Sequence, residues 1–147
     1  MGRKKAEGEA ALARFGVSIE EPLLESFDAL LGRKGYGNRS EAIRDLIRDR
    51  LVQEEWARGT GEVVGTITIL YDHHVKELQA RMTEIQHDSH SHIISTLHVH
   101  LDHSNCLELL VVRGRPAEIR SLADALFAMK GVKHGNLAVT TTGRSLP

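Results

Sequence analysis

Two histidines one residue apart, His98-Val99-His100, and a single cysteine, Cys106, are the side chains in this sequence best placed to hold a metal ion. On an extended strand alternate side chains share a face, so the two imidazoles stand on one side, about 6.5 to 7 Å apart along the backbone. A hairpin centred on His103, with Asp102-His103-Ser104 as its loop, sets Leu101 opposite Asn105, His100 opposite Cys106 and His98 opposite Glu108. Cys106 then joins the histidines' face, while Leu97, Val99 and Leu101 are expected to face the core on the other side. Two imidazoles and a thiolate suit a borderline-soft transition metal, not magnesium or calcium, which prefer oxygen. A histidine-rich strand can be a plain solvent face and a lone cysteine a small buried hydrophobe. The coincidence of all three donors on one face favours a binding site.

The surroundings agree. All nine histidines fall at or after His73, which separates a histidine-free first half from a histidine-rich second half. Gln86-His87-Asp88-Ser89-His90-Ser91-His92 offers three more imidazoles at the end of an expected helix, any of which can supply a fourth ligand, in its own chain or in a neighbouring subunit of a symmetric oligomer. His73 and His74 read as exposed residues at the start of that helix, and His103 and His134 as surface residues. One cysteine builds no intramolecular disulfide framework.

A chain of 147 residues with 41% hydrophobic content suits one ordinary domain or two small ones. No apolar run reaches the roughly 18 to 20 residues of a membrane span, and the start, Met1-Gly2-Arg3-Lys4-Lys5, is charged, so a cytoplasmic protein is expected. A formal net charge of -1 lacks the bulk signature of a nucleic-acid binder. Local basic clusters remain: Arg3, Lys4, Lys5 and Arg14 near the start, and six Lys or Arg between residues 33 and 50.

The first half must position something other than metal. Phe15, Val17 and Ile19 alternate with Arg14, Gly16 and Ser18, the period-two mark of a short strand with one apolar and one readable face. Pro22 fits the first turn of a helix over residues 21 to 34, with Leu23, Leu24, Phe27, Leu30 and Leu31 at helical spacing and Gly35 to end it. Asn38 followed by Glu41 resembles a capping box before the stripe Ala42, Ile43, Leu46, Ile47 and Leu51 of a second helix. A unit of roughly 45 residues with one unpaired strand buries too little surface alone. It is expected to pair with a copy of itself as a two-stranded ribbon backed by four helices, an arrangement that enters the DNA major groove. Trp56-Ala57-Arg58-Gly59-Thr60-Gly61 reads as a hinge.

Beyond it the expected elements are a strand over Val63 to Tyr71, a helix over residues 73 to 86, strands over Ile93 to Leu101 and Cys106 to Val112, a helix from Pro116, and a strand over Asn136 to Thr141. That βαββαβ order predicts a ferredoxin-like sandwich, and the whole chain an α+β protein.

The segments Arg14 to Ile19, Gly35-Tyr36-Gly37-Asn38-Arg39-Ser40-Glu41-Ala42-Ile43-Arg44-Asp45, Thr96 to His100 and Cys106-Leu107-Glu108 together resemble the nickel-responsive regulators, NikR, across about residues 13 to 141. The resemblance implies an N-terminal arm (1–12), a ribbon-helix-helix DNA-binding domain (13–56), a hinge (57–61), an ACT-type nickel-binding and tetramerisation domain (62–141) and a C-terminal tail (142–147). It further implies a homotetramer of two DNA-binding dimers, and one Ni(2+) per subunit, in a planar site of His98, His100, Cys106 and His87 from another subunit. Arg14, Gly16 and Ser18 would face the groove of double-stranded operator DNA, with Asn38, Arg39 and Ser40 on phosphate. Gly16 departs from relatives that carry a hydroxyl there, and glycine cannot read a base edge. Glu41 and Asp45 match a second cation site. The implied function is a regulator, repressing nickel-uptake genes from an inverted-repeat operator, with no enzymatic activity, no membrane partner and no small organic substrate. The competing readings are a metal-dependent hydrolase, with Glu108 as base, a nickel storage protein or an antitoxin. The first lacks an open metal position and a pocket-forming loop, and a folded βαββαβ unit takes the place of an antitoxin's tail.

Overall fold

The computed structural model describes residues 11–146, leaving residues 1 to 10 of the expected basic arm outside the described part. The chain forms two compact units, divided between Arg48 and Asp49.

In the first unit, α1 (Glu21–Lys34) starts with a proline in its first turn and ends at Gly35, whose φ of 75° is the left-handed conformation that glycine adopts without steric cost. Gly35 N–H donates to the Gly32 carbonyl, and Tyr36 N–H to that of Leu31 at 3.1 Å, which together satisfy the last turn as a Schellman cap. Asn38 Oδ1 accepts the backbone N–H of Glu41 at 3.0 Å and so caps α2 (Arg39–Arg58), as its spacing predicts. Residues 13 to 19 are not a strand here. A strand is defined by its ladder, and the partner expected for this one lies in a second chain. Phe15, Val17 and Ile19 are correspondingly exposed.

The segment expected to be a hinge is helical as far as Arg58. Trp56 is the reason: its indole is buried in the second unit, donates to the Thr140 carbonyl at 2.7 Å, and lies under the Arg120 guanidinium. The helix stops at Gly59, again with positive φ, and only Gly59 to Glu62 separate it from the sheet.

The second unit continues with β1 (Val63–Asp72), α3 (Leu78–Asp88), β2 (Ile93–His100), β3 (Asn105–Gly114), α4 (Pro116–Phe127) and β4 (Val132–Thr140). All pairings are antiparallel, in the order β2-β3-β1-β4 of a ferredoxin-like sandwich. Both helices cover one face of the sheet. Leu78 and Met82 of α3 and Ile119, Leu122, Ala123 and Leu126 of α4 close over Ile67, Ile69, Tyr71, Cys106, Leu110 and Val112. α3 begins later than expected because residues 73 to 77 make turns anchored on the sheet, with His73 N–H bonded to the Ser104 carbonyl and His74 N–H to Asp72 Oδ1.

One packing constraint yields a stability prediction. Gly135 on β4 lies opposite Ile69, and a Cβ there would sit 2.0 Å from Cδ1 of Phe127. Gly135→Ala must displace the Phe127 ring, and the expected cost is about 1 to 3 kcal/mol of overpacking. It is checked as a lower urea midpoint with an unchanged denaturant slope.

Candidate metal centre

The hairpin register is the one that residue spacing predicts: His98 pairs with Glu108, Val99 with Leu107 and His100 with Cys106. Asp102 builds the loop, its Oδ1 accepting the N–H groups of Ser104 and Asn105 and its Oδ2 the Asn105 amide. These bonds, the Asn105 side chain's first, pull the Asp102 carboxyl down to about 2.

The covered face of the sheet is the opposite of the one expected. Leu97 and Leu101 are more than half exposed, whereas Cys106, Glu108, Leu110 and Val112 are buried beneath the helices. Alternation separates two faces without saying which is covered; the side on which α3 and α4 land decides that. The donors therefore sit on the helix-covered face, at its open corner, with His98 and His100 reachable and Cys106 fully buried.

One donor atom from each of His98, His100 and Cys106 lies within 4.8 Å of the others, and Cys106 Sγ is 3.2 Å from His100 Nδ1. An ion held at about 2.0 to 2.3 Å from nitrogen and sulfur spaces its ligands roughly 3 to 4.5 Å apart, so these three residues fit one metal. Burial, then the nearby carboxylates of Asp102, Asp72 and Glu108, push the Cys106 thiol up. Uncharged sulfur is thus favoured until a cation neutralises the thiolate.

Around His98 the structure adds Tyr71 and Gln86 to the Glu108 that residue spacing already set opposite it. Tyr71 Oη is 3.3 Å from His98 Nδ1 and the Glu108 carboxylate 3.8 Å from the same nitrogen, while Gln86 Nε2 donates to Glu108 Oε1 at 2.6 Å. Burial, followed by the charges of Glu108 and Cys106, pushes the Tyr71 phenol up to about 12. Tyr71 faces Cys106 across the β1–β3 ladder, a relation visible only once those two strands are known to pair. Glu108 thus orients an imidazole and is itself tied to α3. Glu108→Ala is expected to weaken metal binding 10- to 100-fold with the thiolate absorption bands retained, as seen by competitive titration.

His87 is not brought to the three donors of its own chain. It follows Gln86 at the exposed end of α3, 6.2 Å from the His90 ring, and lines a shallow depression with Thr83, Gln86, His90, Ile93 and Thr96.

In the first unit Arg14, Gly16, Ser18, Asn38, Arg39 and Ser40 are all exposed. Arg39 makes a two-pronged pair with Asp28, its Nε 2.8 Å from Oδ1 and Nη2 2.6 Å from Oδ2, which braces the start of α2 against α1. Glu41 and Asp45 are one turn apart on α2, but Asp45 accepts from Tyr36 Oη and pairs with Arg48, and no metal-holding trio includes either among the described residues.

Two family models match the chain. Residues 64–140 match the family described as NikR C terminal nickel binding domain, and residues 13–54 the family described as ribbon-helix-helix protein, copG family. The chain is 58% identical to a "Putative nickel-responsive regulator" of Solibacter usitatus over 93% of this chain and 99% of that one. It is 61% identical to one so named from Geobacter sulfurreducens, over 90% and 96%. Among solved structures, an uncharacterized Thermotoga maritima protein matches 55% of this chain and all of its own at a TM-score of 0.51 and 15% identity, a likeness of fold. No described helix is long and apolar enough to cross a membrane. The chain belongs to the NikR family of nickel-responsive regulators, transcription factors rather than enzymes, with an N-terminal ribbon-helix-helix segment.

Proposed function

We propose that this protein is a nickel-dependent repressor that binds an inverted-repeat operator as a tetramer, with one nickel ion per subunit held by His98, His100 and Cys106 and by His87 of a neighbouring subunit. The observation that carries this reading is the convergence of two imidazoles and a buried thiol at one corner of the sheet, while His87 waits exposed on α3. With nickel bound, these four side chains become a cross-link between subunits. In each chain Gln86 grips Glu108 beside His98, so the helix that presents His87 outward is fastened to the chain's own metal corner.

In the first unit, exposed Phe15, Val17 and Ile19 support ribbon formation between two chains, burying that apolar face on the helices and turning Arg14, Gly16 and Ser18 to the groove. Asn38 is used as a cap and Arg39 as a brace, so phosphate would meet chiefly Ser40 and the remaining backbone N–H groups of the first turn of α2. Metal binding favours the orientations in which two DNA-binding dimers engage both half-sites together.

Because coupling between sites is reciprocal, operator DNA must tighten nickel binding by the factor by which nickel tightens operator binding. The test is a gel-shift or fluorescence titration of an inverted-repeat operator with and without nickel, paired with nickel titrations with and without the operator. Operator affinity indifferent to nickel would sink the proposal.

A further inference from the structure

The end of α2 and the residues that follow β4 meet within the second unit. Val52 and Trp56, four residues apart on α2, pack into the core, and the indole rests over Gly65 of β1, where a Cβ would come within 3.5 Å of Trp56 Cη2. The indole N–H is tied to the carbonyl of Thr140, the last residue of β4. The chain then turns back, with Gly143 N–H donating to Thr141 Oγ1 at 3.3 Å. This turn brings Ser145 Oγ to donate to Glu55 Oε1 at 3.3 Å, one residue before the indole. Beyond Gly59-Thr60-Gly61, Glu62 accepts from Arg113 Nη2 at 2.6 Å. That hydrogen bond, and after it the charges of Arg113 and Arg144, hold the Glu62 carboxyl below its ordinary value. Arg144 and Ser145 therefore serve two carboxylates, one on each side of the glycine-containing turn.

We propose that residues 141 to 145 are a strap that locks the end of α2, from residue 52 to residue 62, onto the metal-binding unit, so that the turn at residues 59 to 61 does not act as a hinge. The strap makes the helix end and the sheet one body. Its consequence for signalling rests on the proposed function: reorientation of the DNA-binding segment is taken up in α2 ahead of residue 52, and the metal corner acts on a stiff helix end. Released, the turn puts loose chain between the metal corner and the DNA-binding segment, which lowers the effective concentration at which a second half-site is engaged.

Trp56 is the only tryptophan of the chain, so its indole N–H gives one signal in a nitrogen-edited proton spectrum. Exchange of that proton with solvent reports how often the helix end opens. The experiment compares the nickel-loaded full-length protein with a chain truncated after Thr141 and with Arg144→Ala/Ser145→Ala. Exchange is expected to be about 3- to 10-fold faster in both variants, the effect of losing one or two exposed polar contacts. Thiolate absorption bands and nickel affinity without operator are expected to stay as in wild type, while the factor by which nickel tightens operator binding falls by a similar amount. Exchange as slow as wild type in Arg144→Ala/Ser145→Ala overturns the strap, and faster exchange with an undiminished nickel factor overturns its part in signalling. If truncation itself abolishes the bands, the double variant decides alone. Failure of the nickel-sensor reading would appear separately, as wild-type operator binding indifferent to metal, with the exchange rates still deciding the strap.

Discussion

Cys106→Ala is expected to abolish the thiolate-to-metal absorption bands and to weaken nickel binding at the buried site by about 10² to 10³-fold. A four-ligand site worth roughly 10 to 16 kcal/mol loses about a quarter of that with one donor, some 3 to 4 kcal/mol. The pH dependence supplies an independent check. Burial and the carboxylates of Asp102, Asp72 and Glu108 hold the Cys106 thiol above its ordinary value, so the metal-free protein carries the proton at neutral pH and binding must release it. Affinity therefore rises about tenfold per pH unit from this group alone, up to the raised thiol pKa, and falls as pH is lowered. In the alanine variant the slope of log affinity against pH drops by one. Competition titrations at three pH values measure it, and an unchanged slope would show that Cys106 does not bind metal as thiolate.

The second large effect tests where His87 acts. His87→Ala is expected to weaken nickel binding at the buried site by a similar 10² to 10³-fold, although His98, His100 and Cys106 remain together in every chain. The decisive arm mixes His87→Ala with Cys106→Ala subunits. Neither variant has an intact site. In a mixed pair, however, the triad of the His87→Ala subunit meets the intact His87 of the other, while the second site lacks both donors. Random reassortment gives mixed pairs half of the time, with one of two sites restored, so about a quarter of the wild-type band amplitude returns. No recovery after verified subunit exchange would place the fourth ligand within the chain or remove it altogether.

The sequence carried a large part of this protein within short stretches. Alternation at His98 and His100, with a three-residue loop, was enough to put Cys106 opposite His100, because a hairpin's register follows from its loop length. The first two helices were legible from local chemistry: Pro22 at one end, Gly35 at the other, then Asn38 as a cap, each acting within a turn of its own position. The βαββαβ order was legible from periodicity, and the observed sheet order follows it. Non-local relations were not. Leu97, Val99 and Leu101 belong to the uncovered face because α3 and α4 land on the other side, a choice that alternation along one strand does not contain. Trp56 looked like part of a linker and instead extends α2 by burying its indole within the second unit, to which it belongs, with its N–H on Thr140, 84 residues away. Tyr71 and Gln86 join Glu108 around His98 from another strand and a helix, and His73 meets the turn at Ser104, contacts that only chain folding brings about. Residue type and spacing determined which donors exist and which face of a strand they share, since those are properties of the backbone repeat. The tertiary structure decided which face is buried, what holds each imidazole and which histidines stand together, since those depend on where distant segments pack.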